Sequence, residues 1–213
     1  VRFTSHPDEW VSLWFPDETG ALPQPMSRQA DRRPPRERSR PYTLRHVDPQ
    51  QGTVTIDIVR HAFGLAANWA AQARPGDRLL MSQPEGRFSL PALTKHLLIF
   101  ADVTGLPAVA RIVETLPDHL TVQAFLTAPV AADRGALVMP AAVQSLWHHA
   151  PGDTGAFLIQ QAQDVSFRPG QDYVWIAAEA AAVAQLKRQF SALTPDKNEV
   201  TAIGYWIKGQ SRR

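Results

Sequence analysis

His96-Leu97-Leu98-Ile99-Phe100-Ala101-Asp102-Val103-Thr104-Gly105-Leu106-Pro107-Ala108 is the segment on which the architecture turns. From position 96 to 101 the run is continuously apolar after its histidine, as a strand covered by helices on both faces must be. Residues 102–105 read as a turn. Positions 106–116 then take helical spacing, with Ala110, Val113 and Leu116 on one face and Arg111 and Glu114 outward. Pro107 suits the first turn of that helix, and Thr104 is placed to cap it. A strand that ends in a turn and opens a helix is the unit of an α/β sheet. Ligands bind at that carboxyl edge, although a capped helix without a ligand would look the same.

The same grammar continues toward the C-terminus. Strands are predicted at 121–126, 156–159, 172–177 and 199–204, with a long helix at 179–193 before the last of them. Strand–helix–strand repetition implies a parallel sheet with right-handed crossovers. Toward the N-terminus the grammar differs. Residues 10–15 read as a strand closed by Pro16, and a strand beginning at 42–45 forms a hairpin with the alternating, β-branched 53–59 about the turn at 48–52. A short Ala-rich helix at 66–73 and a strand at 78–81 follow. Mostly strands and turns here indicate an antiparallel sheet or small barrel. The expected organisation is a β-barrel domain over 1–92 and an α/β domain over 93–213.

Composition narrows the chemistry. The 213 residues contain no cysteine, which removes disulfides, iron–sulfur clusters, thiolate metal sites and thiol nucleophiles, so redox chemistry would need a bound organic cofactor. No apolar run reaches the roughly 18 residues of a membrane-spanning helix, so no membrane insertion is expected. A cytoplasmic location follows as the default. Net charge is only +2, yet seven arginines lie between Arg28 and Arg45 against Asp31 and Glu37. That stretch reads either as a solvated basic loop or as an anion-binding rim, since guanidinium grips carboxylate and phosphate in a planar fork. Nucleic acid is not expected as a partner, because no aromatic residues interleave the run before Tyr42 and the remainder of the chain is acidic.

Several short motifs could carry function. In Arg40-Pro41-Tyr42-Thr43, alternation along a strand places Arg40 and Tyr42 on one face and Thr43 on the other. A flavin nucleotide needs a cation for its pyrophosphate, an aromatic plane and a hydrogen-bonding group, though ordinary strand residues would fit the same spacing. His61 and Gly64 precede a helix start at Ala66 and Ala67, where small residues let phosphate approach backbone N–H groups. Trp175-Ile176-Ala177-Ala178-Glu179 ends a second strand against a second helix, and Gly204-Tyr205-Trp206-Ile207-Lys208 brings two aromatics beside a cation. Trp206 reads either as core or as a lid over a planar ring. No His, Asp and Glu spacing matches a metal site, and His148-His149 are adjacent, so they cannot face one ligand from regular structure.

The order of these motifs, from about Phe3 to Gly209, resembles the siderophore-interacting protein family. The resemblance implies a ferredoxin-reductase-like fold: an antiparallel flavin-binding barrel followed by a parallel-sheet nucleotide-binding domain. It implies an FAD-dependent oxidoreductase that reduces a ferric siderophore and releases ferrous iron in the cytoplasm, with NADH or NADPH as donor and reduced ferredoxin as the other donor left open. It implies that Arg40, Tyr42 and Thr43 hold the flavin, and that His61, Gly64, Ala66 and Ala67 follow its phosphates or ring. Asp102, Thr104, Leu106 and Ala108 would lie near its far edge, Glu179 with Trp175 on the nicotinamide side, and Tyr205 with Trp206 on the flavin face. Arg87 and Lys208 would meet the anionic chelate. No residue is expected as catalytic acid or base and none as a metal ligand.

The chain departs from the family pattern at several positions. A further stretch of barrel is expected before Val1. Gly64-Leu65-Ala66-Ala67 lacks a hydroxyl of the family's Gly-Pro-Ala-Ser, and Ala178 replaces a glycine, adding a methyl where a dinucleotide would approach. That substitution weakens the expectation of tight NAD(P)H binding and leaves room for a protein donor such as ferredoxin. Ser12 and Glu85 stand where the family often has basic residues. The remaining readings are a reductase of the same fold for ferric citrate, haem or an electron-transfer protein, and a non-catalytic chelate-binding protein.

Overall fold

A computed structural model describes residues 2–23, 38–61, 64–140, 142–149, 152 and 154–210. The chain divides into two compact units, one drawn from 2–5 and 9–86 and the other from 6–8 and 87–210.

The first unit is antiparallel. Strand β1 (Trp10–Trp14) pairs with β2 (Ser39–Thr43) on one side and with β5 (Leu80–Met81) on the other. β3 (His46–Asp48) and β4 (Thr53–Thr55) form a separate hairpin. Its turn is built as the sequence suggests: the Asp48 carboxylate accepts the Gln50 and Gln51 N–H groups, and Gly52 takes a left-handed φ of 67°. The hairpin is shorter than predicted. Arg45 N–H to Thr55 O at 2.8 Å is the last rung, and 56–59 are not strand because β3 supplies no partner beyond it. The short helix α1 (Leu65–Ala70) packs inward through Ala66, and Val11, Leu13, Phe15 and Leu44 complete this core.

The second unit carries a five-stranded parallel sheet in the order β10-β9-β6-β7-β8. Its strands are β6 (His96–Asp102), β7 (Thr121–Ala128), β8 (Val143–His149), β9 (Asp172–Glu179) and β10 (Val200–Trp206). Helix α2 (Leu106–Thr115) covers one face, where Val109, Ile112 and Val113 meet Leu97, Ile99, Tyr173 and Trp175. Helices α3 (Thr154–Asp164) and α4 (Ala180–Ser191) cover the other, where Leu158, Val183, Leu186 and Phe190 meet Leu98, Phe100, Val174 and Ile176. Alternate residues of each central strand thus enter two different cores, which is why both strands read as unbroken apolar runs.

One element differs in kind from its expectation. Residues 156–159, predicted as a strand, lie inside α3, and the third strand is β8. A four-residue apolar run does not distinguish the two periods. The structure does, because the buried Leu158 and Ala162 are four apart, the helical repeat. β8 escaped notice because it is an edge strand whose residues alternate between half-buried and exposed, so it lacks the continuous apolar signature of its neighbours.

Candidate functional site

The sheet order places the site in the second unit. From β6 the chain steps outward to β7 and β8, then returns to β9 on the opposite side of β6 and continues to β10. Strand order therefore reverses between β6 and β9, and the carboxyl ends of those strands frame a crevice of the kind that binds ligands in open α/β sheets. Asp102 ends β6, Glu179 ends β9, and Trp206 ends β10.

Both carboxylates at this edge are occupied by the protein. Asp102 is 1% exposed. Its Oδ1 accepts the Thr104 N–H at 2.9 Å and the Thr104 hydroxyl at 2.5 Å, while Oδ2 accepts the Trp206 Nε1–H at 2.7 Å. Burial pushes its carboxyl above the ordinary carboxylate range, and the Thr104 and Trp206 donors pull the other way. Glu179 caps α4: its Oε2 accepts the N–H groups of Ala181 and Ala182 at 2.7 and 3.2 Å, and its Oε1 accepts the Lys208 N–H at 3.2 Å. Asp102, buried with both oxygens bonded, is therefore not placed to meet a cofactor, whereas the Glu179 Oε1 accepts a single bond. Thr104 does not cap α2 as expected. That helix starts at Gly105 without a side-chain cap, and the Thr104 hydroxyl turns back to Asp102.

Gly105 decides how closely the turn between β6 and α2 packs on the ends of β6 and β9. A Cβ there would stand 2.8 Å from the Ala177 carbonyl oxygen and 3.1 Å from the Ala101 and Ala177 methyls. Leu106 and Ala108 point into the α2 core and can offer a ligand only backbone atoms. Trp175 is fully buried, with its indole N–H directed at Asp8 Oδ2 at 3.4 Å, so it does not line the crevice. Tyr205 and Trp206 leave β10 on opposite faces: Tyr205 packs toward α2, whereas Trp206 lines a cavity beside α3 and α4. They cannot present both rings to one ligand face as expected.

That cavity measures about 240 Å³ and is bounded by Trp206, Lys208, Glu179, Gln185 and small residues of α3 and α4 such as Gly155 and Ala181. The walls from α3 went unrecognised in the sequence because 156–159 was read as a strand. The Ala178 methyl does not project into the crevice. It packs in the core with Phe100, Ile176 and Val183, so the substitution puts no obstacle before a dinucleotide.

The antiparallel unit holds the other predicted residues. β2 pairs with β1 so that Arg40 lies opposite Leu13 and Tyr42 opposite Val11. Both therefore stand on the core face of the sheet, half-buried at its rim, while Thr43 is buried. Burial raises the Tyr42 phenol above its ordinary pKa, with Arg40 opposing, and burial lowers that of Arg40. Arg40 also donates to the Ser39 carbonyl at 2.7 Å. His61 is exposed, and its ring lies over Gly64 so closely that a Cβ there would come within 2.4 Å of it. Ala66 and Ala67 are buried by their side chains, leaving the backbone at the start of α1, which carries no side-chain cap. Of the predicted basic rim, residues 24–37 lie outside the described residues. Arg38 donates to the Phe15 and Pro16 carbonyls, a structural use of its guanidinium. Arg87 is exposed, and its N–H is held by Asp8 Oδ1 at 2.8 Å. Among the described residues no helix is long and apolar enough to cross a membrane.

Comparison with known proteins agrees with this division. The model of the siderophore-interacting FAD-binding domain matches residues 2–88, and that of siderophore-interacting protein matches 94–209. The NADPH-dependent ferric-chelate reductase of Escherichia coli is 33% identical over 209 residues, covering 93% of this chain and 79% of that protein. The crystal structure of a siderophore utilization protein from T. fusca superposes with a TM-score of 0.83 at 32% identity, over 99% of this chain and 83% of the other. A ferredoxin NADP+ reductase from Neisseria gonorrhoeae with bound FAD and NADP shares the fold, with a TM-score of 0.66 at 14% identity, over 96% of this chain and 88% of that one. The donor set of β2 and α1 suits the nucleotide for which the first domain is named: a guanidinium and a phenol on one face, beside a helix start whose N–H groups no side chain caps.

Proposed function

The chain belongs to the siderophore-interacting protein family, and from that premise we propose that it is a flavin-dependent ferric-chelate reductase that takes electrons from NAD(P)H and delivers them to siderophore-bound iron(III). The observation that carries the reading is the reversal of strand order between β6 and β9, which opens a ligand crevice in the unit that follows the FAD-binding domain.

Bound FAD supplies the exchange between a two-electron hydride and single electrons. In this reading Arg40 holds the flavin's pyrophosphate and Tyr42 flanks its ring, keeping the phenolic proton because burial raises its pKa. Backbone N–H groups at 64–67 meet phosphate, with Gly64 and His61 setting the entry of the chain into α1. Thr43 anchors β2 from its buried side. The carboxyl-edge crevice receives the donor. Lys208 lines it, so we assign that charge to the donor's phosphates and leave the exposed Arg87 to the anionic chelate. Iron(III) binds hard oxygen donors more tightly than iron(II), so one electron loosens the complex and no protein ligand to the metal is needed. One hydride reduces two ferric centres. A nicotinamide donor fits a reaction in the cytoplasm, where that pool is kept reduced.

The test is anaerobic. FAD-loaded protein is mixed with NADPH, NADH or reduced ferredoxin, flavin bleaching is followed, and a ferric siderophore, ferric citrate or haem is then added with an iron(II) trap. Bleaching by a nicotinamide followed by iron(II) release from the siderophore is the expected result. A protein that takes up no FAD, or whose flavin no nicotinamide reduces, overturns the reading.

A further inference from the structure

We propose that Asp102 is a positioning residue: it fixes the Trp206 indole as a wall of the carboxyl-edge crevice, so that a slot for one flat ring of the donor exists before the donor binds. The proposal rests on the functional reading above for the identity of the donor, but not for the tether itself. Asp102 sits on β6 and Trp206 on β10, with β9 between them. The 2.7 Å bond from indole N–H to Oδ2 therefore spans the end of a whole strand. A hydrogen bond to a carboxylate is roughly twice as strong as one between neutral groups. Oδ1 is held independently by the Thr104 N–H and hydroxyl, so the carboxylate cannot swing to release the ring.

What the fixed indole faces explains why its position matters. Gly155 and Ala156 from α3 and Ala181 and Ala182 from α4 line the cavity with it. The lining thus joins one large aromatic plane to mostly small side chains, with Ile159 and Gln185 among them, which leaves room for a flat ring. At about 240 Å³ it falls below the roughly 300 Å³ at which pockets for whole drug-sized ligands begin, so it takes one ring of a dinucleotide with part of its ribose. A free indole would rotate into that space. Asp102 itself, 1% exposed and fully occupied, cannot touch the donor and acts only through Trp206.

The test separates tether from donor. Of the six tryptophans, the indole ¹H–¹⁵N signal lost in Trp206→Phe identifies Trp206. In flavin-free protein that signal is expected downfield and slow to exchange, and in Asp102→Asn it should move upfield and exchange faster. In the loaded enzyme, Asp102→Asn and Trp206→Phe should each raise the donor KM about tenfold, leave the chelate KM within about twofold, and be no worse combined. Glu199→Gln is the control. It alters another buried carboxylate, bonded to the Gly170 N–H and the Thr194 hydroxyl where β10 begins, and should lower thermal stability without moving the donor KM. An unchanged indole signal in Asp102→Asn refutes the tether. A freed indole with an unchanged donor KM, or a donor KM raised equally by Glu199→Gln, refutes its role. A native enzyme that no nicotinamide reduces sinks the functional reading instead, with the indole signal still deciding the tether.

Discussion

Gly105→Ala tests how tightly the turn between β6 and α2 packs on the ends of β6 and β9, where the crevice opens. Gly105 has φ −85° and ψ −14°, ordinary right-handed backbone, so alanine meets no conformational obstacle there. By restricting the unfolded chain, alanine should even contribute about 0.4–1 kcal/mol of stability. Against this, the new methyl would lie 2.8 Å from the Ala177 carbonyl oxygen. That oxygen belongs to the backbone of a strand paired on both sides, so it cannot step aside as a flexible side chain would. Two further methyls stand at 3.1 Å. Overpacking of this kind typically costs about 1–3 kcal/mol. At mid-range the clash exceeds the gain by about 1.3 kcal/mol, or about 3–5 °C in melting temperature for a chain of this size. Gly204→Ala provides the internal comparison. Its methyl would stand 3.2 Å from the Ala180 Cα and Cβ, a contact relieved by a shift of a few tenths of an ångström at the start of α4. Thermal unfolding followed by far-UV circular dichroism should therefore rank native above Gly204→Ala, and Gly204→Ala above Gly105→Ala. A Gly105→Ala protein that melts at or above the native temperature refutes the packing argument.

Four other outcomes are expected. Because burial raises the folded pKa of Asp102 above the ordinary value of about 3.9, the folded state holds that proton at pH values where the unfolded chain has lost it. Its contribution to stability is therefore complete below the ordinary value and declines as pH rises through the raised one, and Asp102→Asn should flatten that slope in denaturant titrations across the acid range. Arg40→Ala should weaken FAD binding about 10–100-fold, the usual worth of a charge-assisted hydrogen bond, with Tyr42→Phe milder than Tyr42→Ala, measured by fluorescence titration of flavin-free protein. Leu158→Ala should cost about 2–5 kcal/mol in denaturant unfolding, because Leu158 is wholly buried on α3, while Gln160→Ala should be nearly neutral. Glu179→Ala should cost about 0.5–2 kcal/mol by uncapping α4, and Glu179→Gln less, since its amide oxygen still accepts.

The alternation of cores across the sheet was legible in the sequence because it follows directly from burial. Residues 97–101 and 173–177 are apolar or aromatic at every position, and only a strand between two helical layers needs that. Glu179 before an Ala-rich stretch likewise announced the start of α4. What the sequence could not convey was direction. Tyr205 and Trp206 are neighbours in the chain and read as one aromatic pair, yet across a register shift in β10 Tyr205 packs with the α2 core while Trp206 lines the cavity beside α3 and α4. Ala178 read as a methyl facing a ligand, because the spacing of Trp-x-Ala-x-Glu carries no information about which side of β9 is open. The assignment of 156–159 failed for a related reason: four apolar residues cover only about one helical turn, too short to tell the two periods apart, and the deciding residue, Ala162, lay outside the run.

The internal use of Asp102 and Glu179 bears on the electrostatics of the proposed reaction. Two carboxylates at the ends of adjacent strands would repel a dinucleotide that carries phosphates, and iron chelates are themselves often anionic. Had both been free, the crevice would oppose the donor it is proposed to bind. Instead Asp102 is surrounded by the Thr104 and Trp206 donors, and Glu179 lies on the positive end of α4, where a helix presents about half a unit of charge. Each negative charge is thus compensated within a few ångströms, whereas Lys208 holds its backbone to Glu179 and lines the crevice with a cation. Lys208 thus offsets part of the negative charge that the two carboxylates bring to this edge. Lys208→Glu should consequently raise the donor KM more than Lys208→Gln does, and the difference should shrink as salt is raised, because only a charge effect is screened on that length scale. Equal KM values for the two variants at every ionic strength would show that the lysine fills space and that its charge plays no part.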